Sequence, residues 1–175
     1  MSSDPRIAIS GKSGCGNTTA SRLVAGKLGL RAINYTFKDL ARDRGMGFEE
    51  LTRAAQSDPQ YDLSLDRMQV EMAKSGGIVL GSRLAIWLLR DTAFTVYLAA
   101  SVEVRAARIA KREGWTFEEA LADTQERDRR DGARYLALYG FDVNDYSFAS
   151  LTVDTEKFDA MGVAAEIIRA AKRVY

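Results

Sequence analysis

Residues 7–19 read I-A-I-S-G-K-S-G-C-G-N-T-T, and this stretch decides the fold. It departs at one position from the phosphate-binding loop pattern G-x-x-x-x-G-K-[ST], because Asn17 takes the place of the lysine, whereas Gly11, Gly16 and Thr18 fit. An apolar run that ends in a glycine-rich turn predicts a buried strand and a loop whose backbone N–H groups surround an anion. The stretch therefore predicts a nucleotide phosphate site.

The residues after the loop extend this prediction. Thr18, Thr19 and Ala20 open a predicted helix, whose N-terminal dipole favours an anion, and the Thr18 hydroxyl is placed to bind Mg²⁺. The alternative is an ordinary glycine-rich turn between a strand and a helix. Lys12, at the second position of the loop, is a candidate for supplying the missing lysine charge, and its alternative is a solvated loop lysine.

The composition bounds the class of protein. A chain of 175 residues with 46% hydrophobic and 28% charged residues fits one globular domain, and a net charge of +1 favours neither nucleic acid nor a membrane as partner. The absence of histidine removes the commonest general base and most zinc sites. The single cysteine, Cys15, allows no internal disulfide, and we see no secretory leader, so we expect a cytoplasmic protein.

Strands and helices alternate along the chain. Strands are predicted at 7–10, 31–34, 78–80, 94–99 and 151–153. Helices are predicted at 37–44, 48–56, 60–74, 102–113, 117–139 and 157–175, with a helix or helical turn at 83–90. This order predicts an α/β fold with a parallel sheet and helices on both of its faces. Ligands of such sheets bind at the carboxyl ends of the strands, so we expect Gly11, Ser82-Arg83 and Ala100-Ser101 to line one crevice.

Arginine is unusually frequent, at 18 of the 25 basic residues, and its forked guanidinium suits phosphate. One predicted helix carries Arg105, Arg108 and Arg112 on one face, at spacing i, i+3, i+7. Another carries two arginines with an acid between them on one face, Arg127, Asp131 and Arg134, at spacing i, i+4, i+7. Like charges on one face repel unless an anion lies against them, although a solvated face is the alternative. With Arg83 and Lys38, these groups favour phosphoryl transfer, which relies on charge neutralisation.

Taken in order, these motifs resemble the type 2 cytidylate kinases, the archaeal and spirochaete-like branch of the nucleoside monophosphate kinases. The resemblance covers nearly the whole chain, through residues 11–19, 38–46, 48–51, 58–59, Asp62, Asp66, Gln69, 83–85, 104–106, 108–114, 134–135, 139–142 and 154–155. It implies a P-loop kinase fold, with a parallel five-stranded sheet and small helical segments that bind the acceptor nucleotide and form a lid. We expect a single domain, 1–175, with its core at about 1–34, 76–104 and 150–175, acceptor helices at about 35–75 and a lid region at about 105–140.

The resemblance implies transfer of the ATP γ-phosphoryl group to CMP or dCMP, with Mg²⁺. The implied ATP site comprises Gly11, Lys12, Ser13, Gly14, Cys15, Gly16, Asn17, Thr18, Thr19, Arg108 and Arg112. The implied acceptor site comprises Lys38, Arg83, Arg127, Asp131 and Arg134. Lys12 and Arg127 are the expected catalytic residues and Thr18 the expected metal ligand. The expected partners are small-molecule nucleotides, bound by a monomer.

The chain also departs from the family pattern. Besides Asn17, the segment 32–37 is about two residues shorter than in the family and lacks the family's Ser-Ala-Gly. Gly81-Ser82 stands where the family usually has Glu-Gly, and Ser150 replaces an aspartate. The glycine at 81 removes a possible acidic contact to Mg²⁺. Two alternatives therefore stay open: a nucleotide-binding pseudokinase, and a kinase for UMP or another small phosphorylated acceptor. Asp62 and Asp66 share a helix face, which favours a structural ion-pair network over contact with the base.

Overall fold

The computed structural model describes residues 4–175 and contains a five-stranded parallel sheet. The strands are β1 (Arg6–Gly11), β2 (Arg31–Ile33), β3 (Ile78–Gly81), β4 (Phe94–Ala99) and β5 (Leu151–Asp154). Their order in the sheet is β2-β3-β1-β4-β5, and every neighbouring pair is parallel. In register, Ile7 of β1 lies between Val79 of β3 and Phe94 of β4. The predicted fold class is confirmed.

Eight helices connect and cover these strands within residues 4–175. They are α1 (Asn17–Leu28), α2 (Phe37–Asp43), α3 (Phe48–Ala55), α4 (Gln60–Ala73), α5 (Ala85–Leu88), α6 (Val102–Glu113), α7 (Phe117–Tyr139) and α8 (Ala160–Ala171). None of them combines the length and the apolar character that crossing a membrane requires.

The two faces of the sheet bury alternate residues of the same strands. Ile7 and Ile9 of β1 pack with α1 and α8, through side chains such as Val24 and Ile167. Ala8, between the two isoleucines, belongs to a second core on the opposite face. Because helices or loops cover both faces, the central strands are apolar throughout and show no polar alternation. Each fully buried isoleucine of this kind stabilises the fold by about 1.5–3 kcal/mol.

Two of the predicted helices are shorter than the sequence suggests, for local reasons. The helix predicted at 83–90 forms only over Ala85–Leu88, because Leu84 has φ −107° and ψ 4°, outside the helical range. The helix predicted at 157–175 begins at Ala160, where the Asp159 side chain caps it by accepting from the Gly162 N–H.

Two helical segments outside the sheet have small apolar cores of their own. Leu40 and Leu51 join α2 and α3 in one of them, with Tyr61 and Leu65 of α4 packed against it. Ile109 of α6 and Ala120 of α7 belong to the other. Both segments contribute side chains to the crevice at the carboxyl ends of β1 and β3. The helical segments of the predicted fold are therefore present, on a sheet whose core does not depend on them.

Candidate active site

The glycine-rich loop joins β1 to α1 and needs glycine for two separate reasons. Gly14 and Gly16 have φ of 85° and 92°, a left-handed conformation that other residues seldom adopt. A Cβ atom on Gly14 would also lie 2.8 Å from the backbone oxygen of Arg105, so α6 approaches the loop closely. Residues 11–19 all line a crevice of about 640 Å³, hereafter the crevice. The loop thus has the phosphate-binding form that the sequence predicts.

The three arginines of α6 have three different environments. Arg105 is 3% exposed, and its guanidinium binds both carboxylate oxygens of Asp128, at 3.2 and 2.6 Å, and the backbone oxygen of Ser13, at 3.2 Å. Arg108 donates to the backbone oxygen of Gly14 at 3.3 Å and lines the crevice. Arg112 also lines the crevice, although its Nε donates to Glu113. Arg105 therefore supports the loop from behind, whereas Arg108 and Arg112 face the ligand.

Lys12, the second residue of the loop, lies at the edge of the crevice. Its Nζ donates to Asn144 Oδ1 at 2.9 Å and lies 3.9 Å from Asp128 Oδ2. Lys12 lines the crevice and two smaller adjoining pockets. Its charge is thus next to the phosphate loop and held by side chains that a phosphate would have to displace.

Asn17 and Gly81, two departures from the expected pattern, are in contact. Asn17 is the first residue of α1, and its Oδ1 accepts from Ser21 Oγ at 3.2 Å. A Cβ atom on Gly81, at the end of β3, would lie 2.2 Å from Ser21 Oγ and 3.1 Å from Asn17 Oδ1. A larger residue at 81 would therefore displace the side chains of α1. The sequence separates these two positions by 64 residues and gives no sign of their contact.

Arg83 and Arg134 meet at the other end of the crevice through a shared carboxylate. Arg83, which follows β3, forms an ion pair with Asp131 of α7. Arg134 lies 3.5 Å from the same carboxylate and 3.4 Å from Asp62 Oδ1 of α4. Both arginines line the crevice. Three elements that are distant in sequence thus present two guanidinium groups to one space.

Three predicted acceptor residues do not line the crevice among residues 4–175: Lys38, Arg127 and Asp131, of which Asp131 lines a small adjoining pocket. Lys38 is exposed, and its Nζ lies 5.6 Å from the centre of the Phe48 ring. Arg127 is paired with Asp123, one turn earlier on α7, at 3.1 Å. The structure brings Arg83 and Arg134 together but leaves Lys38 and Arg127 outside their cluster.

Four residues on one face of α4 also line the crevice, at spacings i, i+3, i+4 and i+7: Asp62, Leu65, Asp66 and Gln69. The three polar ones are among the most buried polar side chains of the molecule. Tyr139 donates to Asp66, whose pKa is nonetheless raised to about 6 by burial, and burial also raises the pKa of Asp62. The expected ion-pair network is present at Asp62, but the same side chains face the crevice. Gln69 is part of the family resemblance in the sequence, which assigns it no role in the site.

A second pocket adjoins the loop on the side of β5. It measures about 290 Å³, and its lining includes Cys15, Thr19, Arg108, Thr155 and Phe158. Arg108 donates to both the hydroxyl and the backbone oxygen of Thr155, at 2.9 and 2.8 Å, and so joins this pocket to the crevice. Sequence reasoning missed Phe158, which follows the last strand and is partly exposed.

Comparison with known proteins identifies close relatives. A sequence model described as the cytidylate kinase-like family matches residues 6–157. The chain is 43% identical to cytidylate kinase 2 of Borreliella afzelii, over 94% of each chain. It is 40% identical to cytidylate kinase of Pyrococcus horikoshii, over 94% of this chain and 86% of the relative.

Solved structures share the fold at lower sequence identity. Shikimate kinase from Bacteroides thetaiotaomicron superposes with a TM-score of 0.65 at 17% identity, covering 97% of this chain and 95% of that one. Deoxyadenosine kinase from M. mycoides with bound dATP superposes with a TM-score of 0.58 at 17% identity, covering 95% and 99%. At this identity the likeness concerns the fold alone.

Proposed function

The chain belongs to the cytidylate kinase-like family, and we propose that its crevice holds ATP at the loop and CMP or dCMP at the opposite end. The resemblance seen in the sequence is thereby confirmed, as is the class of ATP-dependent nucleoside monophosphate kinase. One observation carries the placement of the two substrates. A single crevice is lined both by the phosphate loop and by Arg83, Arg134 and the buried face of α4.

The ATP phosphates would lie on the N–H groups of residues 11–19, a loop that Arg105 supports from behind. Backbone N–H groups and the start of a helix favour an anion without any lysine. Arg108 and Arg112 add positive charge on the crevice side. The nucleoside end of ATP would then occupy the adjoining pocket, where Phe158 offers an aromatic face.

Lys12 and Arg127 stay predictions as catalytic residues. Lys12 would have to leave Asn144 to reach the β- and γ-phosphates, a short movement for a flexible side chain at the edge of the crevice. Arg127 would have to leave Asp123 and approach with α7. Lys38, outside the crevice lining, would need a similar approach of α2. We accordingly propose that segments 35–75 and 105–140 close over the core at 1–34, 76–104 and 150–175.

The acceptor phosphate would bind between Arg83 and Arg134. Asp131 holds both guanidinium groups near each other and could release Arg83 to a phosphate, whose charge is larger than that of a carboxylate. An oxygen of the acceptor phosphate then attacks the γ-phosphorus as its bond to the bridging oxygen of ADP breaks. This oxygen is already ionised at neutral pH, so no general base is required. The side chains orient the substrates, neutralise charge and exclude water.

The residues present fit a magnesium ion held mainly by nucleotide phosphates and water. Within residues 4–175 no group of three His, Cys, Asp or Glu side chains could hold a metal ion alone. Thr18 lines the crevice, and the buried Ser82 Oγ has no hydrogen-bond partner among the described residues, so these two hydroxyls are the candidate contacts. Bound there, Mg²⁺ would neutralise charge on the phosphates. Small-molecule nucleotides are the expected partners, and a monomeric state and a cytoplasmic location stay predictions.

A coupled assay of ADP release tests this proposal with CMP, dCMP, UMP and AMP as acceptors. We expect turnover with CMP or dCMP and Mg²⁺. Binding of ATP by calorimetry without turnover of any acceptor would show a pseudokinase. A preference for UMP would overturn the acceptor assignment and leave the kinase class intact.

A further inference from the structure

The buried face of α4 carries hydrogen-bond acceptors with no donor, on side chains that line the crevice. Asp62 and Gln69 are each 4% exposed and line the crevice two turns apart on the same helix. No described residue in 4–175 donates to Asp62 Oδ2 or Gln69 Oε1, although both atoms are buried. Leaving a buried polar atom unpaired costs stability, so such atoms at a ligand site indicate what the ligand supplies.

Each of these side chains is held at one end by the protein. Asp62 Oδ1 lies 3.4 Å from Arg134 Nη1, so Oδ2 is the end left over. Gln69 Nε2 donates to the backbone oxygen of Tyr35 at 2.8 Å, an arrangement that assigns Oε1 to the unpaired end of the amide. A carboxylate oxygen and an amide oxygen can only accept. The α4 face therefore offers two oriented acceptors and calls for N–H donors.

Cytosine and uracil differ in their N–H donors at two adjacent ring positions, C4 and N3. Uracil has one N–H donor at N3, where cytosine has an acceptor nitrogen. Cytosine carries an amine with two N–H donors at C4, whereas the corresponding group of uracil is a carbonyl oxygen that only accepts. The amine has one N–H for each of the two acceptors of α4, whereas the carbonyl oxygen of uracil has none and the N3–H of uracil can serve only one of them. Sites that leave a buried polar group unpaired with the wrong ligand discriminate strongly against that ligand.

We propose that Asp62 and Gln69 read the 4-amino group of the acceptor base and so select CMP over UMP, a role that rests on the proposed function. Arg134 connects this base end to the phosphate end, because its guanidinium approaches both Asp62 and Asp131. A nucleotide can thus be recognised at its two ends by one continuous cluster.

The decisive variant is Asp62→Asn, which keeps one oxygen for Arg134 and can place an N–H₂ donor where Oδ2 was. We expect the ratio of kcat/KM for CMP to that for UMP to fall by about 10- to 100-fold, the discrimination that one paired base contact provides. The KM for ATP should change less than about two-fold, since the loop is untouched. Glu71→Gln is the matched control, because Glu71 is exposed on the same helix and its loss of charge should leave the ratio unchanged.

The outcomes separate this inference from the proposed function. An unchanged ratio in Asp62→Asn, with equal losses for CMP and UMP, would show a structural role only and overturn the inference alone. A wild-type protein that prefers AMP or UMP to CMP would also overturn it. A wild-type protein inactive with every acceptor would refute the proposed function itself. If Asp62→Asn does not fold, Gln69→Met, which removes the other acceptor, must lower the same ratio, and failure to do so refutes the inference.

Discussion

Replacing Asp66 by asparagine should make the protein more stable at neutral and alkaline pH. Asp66 is 9% exposed on α4, where Tyr139 donates to one of its oxygens. Burial, reinforced by the nearby carboxylate of Asp62, raises its pKa from 3.8 to about 6, although Tyr139 and Arg134 act in the opposite direction. The folded protein thus holds the proton more tightly than the unfolded chain, and it is the ionised form that costs stability.

The pKa sets the size and the pH window of this effect. A change from 3.8 to about 6 corresponds to about 3 kcal/mol between the protonation states. The cost is present in full above about pH 6, decreases as the pH falls to 3.8, and is absent below, where both states are protonated. The amide also loses hydration on burial, so we expect Asp66→Asn to raise the free energy of unfolding by about 1–3 kcal/mol at pH 8.

Urea unfolding at several pH values between 4 and 8 measures this difference. The gap between Asp66→Asn and the wild type should close as the pH falls from about 7 to about 4. Asp91→Asn is the control, because Asp91 is exposed and forms no ion pair within residues 4–175. A gap that stays constant with pH, or a variant less stable than the wild type at pH 8, would refute the reasoning.

Three further substitutions test the arginines and the loop. Arg83→Ala should raise the KM for CMP, through a loss of about 2–4 kcal/mol of binding, and barely change that for ATP; an effect confined to ATP would contradict the acceptor role. Arg105→Met should lower the free energy of unfolding by about 3–5 kcal/mol in urea, since it removes the donor of the Ser13 oxygen and leaves Asp128 only the more distant Lys12 as ion-pair partner. Arg112→Met at the exposed end of α6 should cost less than about 0.5 kcal/mol. Lys12→Ala should lower kcat by far more than Asn17→Ala in the coupled assay, and equally small effects would show that Lys12 does not replace the missing charge.

The sequence predicts the fold well because its signals are local. The apolar run 78–80 ends at Gly81 and the run 94–99 ends shortly before Ser101, and caps and glycines mark the ends of the helices to within a few residues. The order of the strands and the position of the loop then determine which ends share a crevice. Both helical predictions at 83–90 and 157–175 extend too far, because the backbone of Leu84 and the cap at Asp159 decide where each helix begins.

The roles of the charged residues are less predictable, because they depend on partners from other elements. Arg105, Arg108 and Arg112 form one stripe by spacing, yet Arg105 is turned to Asp128 and buried. That pair joins α6 to α7 across 23 residues, and helical periodicity carries no information about it. Gln69 likewise gains its place in the site only from the fold of the segment around Tyr35.

The contact between Asn17 and Gly81 changes the meaning of the absent lysine. The P-loop pattern expects a positive charge at 17, and the family pattern expects a negative one at 81. Here both positions are neutral, and they are neighbours, since a Cβ at 81 would lie 3.1 Å from Asn17 Oδ1. Relative to the P-loop pattern the site lacks one positive charge, and relative to the family pattern it lacks one negative charge. The loop can then keep its affinity for nucleotide, because Arg108, Arg112 and the N-terminus of α1 still supply positive charge that no carboxylate at 81 opposes.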